Sequence, residues 1–162
     1  MIKKKTSSVR KGIAAVIFRR RGGALEFLVM HRILRWKGWE SLKGGINPGE
    51  DGDAALIREI EEEINISSDK LRILGTIPGA EIRLNVPLKF RKQMGGFTNA
   101  LYKPFYLVEV LQEAKPNLKK DDVQEHDKIK FVPYEKALKM LTYSNTRTAL
   151  RKSMRMLSHR PR

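Results

Sequence analysis

Four glutamates fall within five positions, Glu59, Glu61, Glu62 and Glu63, in the run "REIEEEI". With Glu50, Asp51 and Asp53 they place seven of the 18 Asp+Glu within fourteen consecutive residues. The chain around them is basic, with 33 Lys+Arg and a formal net charge of +15. On a helical wheel at ~100° per residue, Glu62 and Glu63 flank Glu59 at about 300° and about 40°, so three carboxylates share one stripe. Ile57, Ile60 and Ile64 form a separate stripe suited to packing on a sheet, and Glu61 points to solvent. Like charges four residues apart destabilise a helix by roughly 0.2–0.5 kcal/mol per pair. These also sit toward the helix C-terminus, where the macrodipole disfavours anions. A hard divalent cation removes both penalties, and Mg²⁺ and Mn²⁺ prefer the oxygen donors this stripe offers. The competing reading is a charged surface helix paired with the abundant lysines.

The flanking residues favour the metal platform. "GGINPGE" at 44–50 is turn-rich, with Pro48-Gly49 at a tight bend and glycines that let backbone approach a ligand. Arg58, beside Glu59, can hold a carboxylate through its fork of donors. A helix is expected over 53–64, with Asp53 as its N-cap.

Other elements must position this helix. "GIAAVIF" and "LEFLVMHRI" read as two strands joined by the Gly-containing turn "RRRGG". "RWKGWESLKGG" is a short strand or loop leading into the acidic segment, and "LRILGTI" a strand. "IRLNVPLKFRKQMGGFTNAL" reads as a strand and a loop, while "KPFYLVEVL" and "KIKFVP" are strands. "YEKALKML" and "NTRTALRKSMRML" are helical by spacing. Strands on both sides of one helix, with helices at the end, indicate α/β layers rather than a repeating βαβ array.

The bulk properties set limits. A chain of 162 residues is the size of one compact domain. There is no Cys, which excludes disulfides and thiolate metal sites and suits a reducing, cytoplasmic setting. No apolar run approaches the ~20 residues of a membrane span, so no membrane partner is expected. "GIAAVIF" is too short and wrongly flanked for a signal sequence, although the acid-free first 25 residues leave organellar targeting open. From Lys136 onward there are eight Lys/Arg and no acid, a surface that attracts polyanions or is a solvated helix face. The basic ends, residues 1–10 and 158–162, are expected to be disordered.

The stretch "GGINPGEDGDAALIREIEEEINI" at 44–66 resembles the Nudix box, G-x5-E-x7-R-E-U-x-E-E-x-G-U with U apolar. Gly44, Glu50, Arg58, Glu59, Ile60, Glu62, Glu63 and Ile66 match, and Asn65 replaces the last Gly. Asn is the next most tolerant residue of the left-handed backbone at a helix C-cap. The resemblance implies a Nudix-type α/β/α sandwich with a mixed central sheet, as one domain over 1–162. It implies Mg²⁺ or Mn²⁺ as cofactor, held by Glu59, Glu62, Glu63, the backbone carbonyl of Lys43 and, from "EHDKIKFVP", Glu125, with Asp127 as runner-up. Glu62 or Glu59 would be the general base, with Glu125 a further option. Arg58 would serve the catalytic constellation, and Gly44, Gly45 and Glu50 would support it, Glu50 by pairing with Arg58.

"WESLKGG" is similar to the lead-in of members that cleave dinucleoside polyphosphates or trim RNA 5′ ends. Trp36 and Trp39 are each stacking candidates or packing residues, and Tyr102 and Phe105 weaker ones within a core strand. Lys43, Arg83, Lys89, Arg91 and Lys92 are candidates for phosphate contact. His31 is a candidate for phosphate contact or a structural residue, and His126 and His159 are assigned no role. The implied activity is hydrolysis of a diphosphate linkage in dinucleoside polyphosphates such as diadenosine tetraphosphate, or in nucleoside triphosphates. RNA 5′-pyrophosphohydrolysis is the alternative, since a charge of +15 suits RNA. A non-catalytic RNA-binding scaffold is a third reading.

Overall fold

The computed structural model describes residues 8–111, 113–118 and 124–160. Eight strands build one sheet: β1 (Val9–Arg21), β2 (Ala24–Arg32), β3 (Gly38–Glu40), β4 (Leu42–Gly45), β5 (Leu71–Thr76), β6 (Ile82–Asn85), β7 (Asn99–Val110) and β8 (His126–Pro133). Helix α1 (Gly52–Ile64) lies between β4 and β5, and the one-turn α2 (Leu88–Arg91) between β6 and β7. Helices α3 (Tyr134–Met140) and α4 (Ser144–Ser158) follow β8.

The main path runs β3-β2-β1-β7-β5, with β4 also on β1, β6 on β7 and β8 on β2. Among the described residues only β1 and β7 pair in parallel, so the sheet is mixed. The β1–β2 hairpin closes through Gly22 and Gly23, both at positive φ (57° and 79°), the backbone such a two-residue turn requires.

Because strand side chains alternate, each face of β1 feeds a different core. Ala14, Val16 and Phe18 join Phe27, Val29, Phe105, Ala149 and Leu150 under α3 and α4. Ile13, Ala15 and Ile17 join Met30, Leu56, Ile60, Ile64 and Val108 under α1. The result is an α/β/α sandwich, the layering expected from the sequence. Burial of each fully enclosed Leu, Ile or Phe contributes about 1.5–3 kcal/mol, so both cores press their helices firmly onto the sheet.

Two local expectations are corrected. Helix α1 is capped by Asp51, which accepts from the Ala54 N–H at 2.8 Å. Asp53 lies inside the first turn and accepts instead from the Tyr106 hydroxyl, 2.8 Å away. The buried stripe of α1 is Leu56, Ile60 and Ile64 with Ala55, while Ile57 is only half-buried. The expected disorder at 1–10 and 158–162 falls partly outside the described residues; within them, Val9 and Arg10 belong to β1 and Ser158 closes α4.

Candidate active site

The site forms where α1, β4, the end of β2 and the start of β8 converge. The C-terminal half of α1 presents Glu59, Glu62 and Glu63 to one cavity of about 230 Å³. Strand β4 supplies its floor, with Lys43, Gly44 and Gly45 hydrogen-bonded to β1 opposite Ala14, Ile13 and Gly12. Gly44 is required by close approach: a Cβ there would lie 2.0 Å from Glu59 Cδ. Asn65 closes α1 in the left-handed region (φ 58°, ψ 41°), its N–H donating to Glu61 O.

Arg58 organises the acidic wall. Its Nε and Nη2 each donate to Glu50 at 2.8 Å, and Nη2 also reaches Gly45 O at 2.7 Å. Its Nη1 donates to Glu59 at 2.9 Å and Glu62 at 3.1 Å. Glu50 accepts further from the Asn47 N–H at 3.1 Å, which ties the Pro48-Gly49 bend to the helix. These bonds, Arg58's first, hold the Glu50 carboxyl at about 2. Glu59 goes the other way. Burial, reinforced by Glu63 and Glu62, pushes it up to about 7 despite Arg58.

Cations form much of the remaining lining wall: Arg10, Arg32, Arg35 and Lys43. Glu125 sits among them, 3.3 Å from Arg35 Nη2 and 3.6 Å from Arg32 Nη1. Arg35 adopts φ 63°, an uncommon left-handed backbone for a non-glycine residue. Beneath the wall lies Glu40, 2% exposed, bonded to Arg32 Nη1 at 3.0 Å, to His126 Nε2 at 2.8 Å and to Lys43 Nζ. Burial opposes its charge, but Lys43, His126 and Arg32 together hold its carboxyl at about 2. Burial pushes the Lys43 ammonium down against the pull of Glu40. His126 is raised to about 8: burial disfavours its charge, and Glu40 and Glu63 outweigh that.

The structure thus gathers Glu59, Glu62, Glu63, Glu125, Lys43, Gly44, Gly45 and Tyr102 around one cavity, with Arg58 and Glu50 behind it. Trp36 also lines it, with Lys43 Nζ 5.9 Å and Arg32 Cζ 5.7 Å from its ring centroid. Trp39 is not brought there; it packs on His31 at 4.9 Å, under Lys130. Arg83 pairs with Glu81, Lys89 lies over Phe90, Arg91 bonds Val86 O, Lys92 is exposed and Phe105 is core, so none of these lines the cavity. Asp127 is turned to His31, 2.6 Å away, and leaves the cavity to Glu125. Sequence reasoning missed Arg10, Arg32, Arg35, Glu40 and His126. The adjacency of His126 to Glu125 and of Glu40 to Trp39 was the only signal for two of them.

The donor set fits a divalent cation. Four carboxylates share the cavity, Gly44 leaves room for one of them against the floor, and the buried His126 Nδ1 has no hydrogen-bond partner.

A mixed-sheet α/β/α sandwich with a cavity lined by carboxylates and cations suits a phosphoanhydride hydrolase. The match of residues 9–152 to the NUDIX domain model shows the family, and this chain belongs to it. Among relatives, it is 33% identical over 137 residues to an RNA pyrophosphohydrolase of Sulfurovum sp. (strain NBC37-1), covering 84% of this chain and 85% of that one. It is 40% identical over 65 residues to an asymmetrical bis(5'-nucleosyl)-tetraphosphatase of Caenorhabditis elegans, 40% of this chain and 47% of that one. Among solved structures, a C. elegans Ap4A hydrolase binary complex superposes with a TM-score of 0.72 at 28% identity, covering 92% of this chain and 98% of that one.

Proposed function

We propose that this chain hydrolyses a phosphoanhydride bond in nucleoside 5′-polyphosphates, dinucleoside polyphosphates of the diadenosine tetraphosphate type first among them, with Mg²⁺ or Mn²⁺ as cofactor. The observation that carries the reading is one small cavity lined by four carboxylates and four cations, with Glu125 held between Arg32 and Arg35. Sites that enclose a whole small molecule typically measure ~300–1,000 Å³. A cavity of about 230 Å³ suits the phosphates and leaves the nucleosides to its rim, where Trp36 is half-buried.

Glu59, Glu62, Glu63, Glu125 and the Lys43 carbonyl would hold the ion or ions. A bound dication supplies neutralisation of phosphate charge and a more acidic water. The chain's own groups do the rest. Arg10, Arg32 and Arg35 bind non-bridging phosphate oxygens and fix the reacting phosphorus. Glu59 accepts the proton of the attacking water; in the metal-free protein burial raises its carboxyl to about 7, and a bound dication would lower it. Arg58 holds that carboxylate in place at 2.9 Å. Water oxygen bonds to phosphorus as the bridging P–O bond breaks, and the leaving phosphate departs with the electron pair.

Glu59→Gln keeps the side chain's volume and removes the proton acceptor. A fall in kcat of ~10²–10⁴ is expected, with an unchanged circular dichroism spectrum; unaltered turnover of diadenosine tetraphosphate would refute the assignment.

A second reading, removal of phosphate from 5′-triphosphorylated RNA, is favoured by the charge of +15 and by the likeness along most of the chain to an RNA pyrophosphohydrolase. Side-by-side kcat/KM values for diadenosine tetraphosphate and a 5′-triphosphorylated oligonucleotide decide between them. Either reading fits a cytoplasmic setting.

A further inference from the structure

We infer that His126 is itself a metal ligand, donating through Nδ1 to an ion shared with Glu63 and Glu125, and that this nitrogen biases the site toward transition-metal dications over Mg²⁺. The inference rests on the metal-dependent reading above and adds a donor to it.

The three ligand atoms of Glu63, Glu125 and His126 lie within 4.8 Å of one another. Bonds of ~2.1 Å hold opposite ligands of one ion ~4.2 Å apart, so a small rotation of the part-exposed Glu125 completes the geometry. The His126 side chain is 4% exposed and its Nδ1 has no hydrogen-bond partner. An orphaned polar atom this deep requires a reason.

The other ring nitrogen supplies it. His126 Nε2 lies 2.8 Å from Glu40 Oε1, and Glu40 is clamped between Arg32 and Lys43. A carboxylate so paired is an acceptor only, so Nε2 carries a ring proton and Nδ1 is the nitrogen left to bind an ion. Glu63 Oε2 stands 3.2 Å from that nitrogen, an ion pair while the imidazole is charged and outside hydrogen-bond geometry. A dication that displaces the Nδ1 proton would bond to both atoms in its place. Carboxylate–imidazole–metal is also how protein metal sites orient a ligating histidine, with the outer carboxylate fixing the tautomer. Mg²⁺ takes oxygen ligands and tolerates nitrogen poorly, whereas first-row transition ions accept imidazole. The glutamate stripe alone is indifferent to this choice; His126 is not.

Pulsed EPR on the full chain with one equivalent of Mn²⁺ tests the bond directly. The expected result is a coupling from a directly bound imidazole nitrogen that changes to the ¹⁵N pattern when the protein carries ¹⁵N-histidine. It should survive His31→Gln and vanish in His126→Gln. His126→Gln should weaken Mn²⁺ binding by at least ~10-fold and leave Mg²⁺ binding within about twofold. Since a buried substitution can unfold the chain, the isotope measurement on the unsubstituted protein decides. Bound Mn²⁺ without histidine coupling overturns this inference and leaves the metal-dependent reading standing. No bound Mn²⁺ at all overturns both.

Discussion

Glu59 and Glu40 are buried carboxylates that titrate in opposite directions, and the difference lies in their neighbours. Glu40 is surrounded by Lys43, Arg32 and His126, so it stays ionised at about 2. Glu59 has Arg58 on one side but Glu62 and Glu63 on the other, and burial carries it up to about 7. The stability of the metal-free protein should follow. A carboxylate with a folded pKa depressed from 4.5 to about 2 contributes stability above about pH 4.5 that is lost as pH falls through about 2. Glu59, raised from 4.5 to about 7, and His126, raised from 6.5 to about 8, contribute stability below their unfolded values that is lost as pH rises through their folded ones. In chelator, Tm should therefore peak near pH 4.5–5, fall toward pH 8, and recover at pH 8 when Mg²⁺ or Mn²⁺ is added, because the ion binds only the folded site. Glu40→Gln should flatten the acidic limb. A Tm in chelator that rises between about pH 5 and about pH 8 would contradict these assignments.

Helix α1 shows what an element's sequence can and cannot reveal. Its carboxylate stripe, its Arg58–Glu50 clamp and its Asn65 C-cap were legible because each depends on spacing within some twenty residues. The cap was displaced by two positions because Asp51 and Asp53 are equally good capping residues, and only Tyr106, on a strand 53 positions away, claims the second. The cation wall was illegible for the same reason. Glu40 meets His126 across 86 positions, and Arg35 meets Glu125 across 90. Strand pairing of β2 with β8 and β3 brings these residues together, and no local period encodes that register. The stripe's apolar edge also shifted, since Leu56 rather than Ile57 faces the sheet. The two ends of α1 can be weighed separately. Asp51→Ala should lower stability by about 1 kcal/mol through loss of the Ala54 contact, whereas Asp53→Ala should leave the cap intact. Asn65→Ala should cost ~1–2 kcal/mol for its left-handed backbone, and Asn65→Gly should not. Urea unfolding in chelator measures all four without interference from metal binding.

At the scale of the whole molecule, a charge of +15 surrounds a cavity whose own charges nearly balance. The basic excess therefore lies outside the reaction centre, and helix α4 carries part of it with Arg147, Arg151, Lys152 and Arg155. Such a field serves either substrate class by raising encounter rates with anions, but it distinguishes them by reach. A dinucleoside polyphosphate engages the cavity and its rim, and its charge is mostly spent there. An RNA 5′ end continues past the rim and lays further phosphates on the basic surface. Each single-strand phosphate neutralised adds ~0.7 to the slope of log affinity against log salt. Four additional contacts would steepen the dependence by about 2.8, so tripling the salt would lower kcat/KM for RNA by ~20-fold relative to diadenosine tetraphosphate. Lengthening the oligonucleotide from two to about ten nucleotides should raise kcat/KM at low salt and leave kcat unchanged, since the added phosphates bind without entering the reaction. Equal salt slopes for the two substrates, with no effect of length, would confine recognition to the cavity and make the small nucleotide the better match to this site.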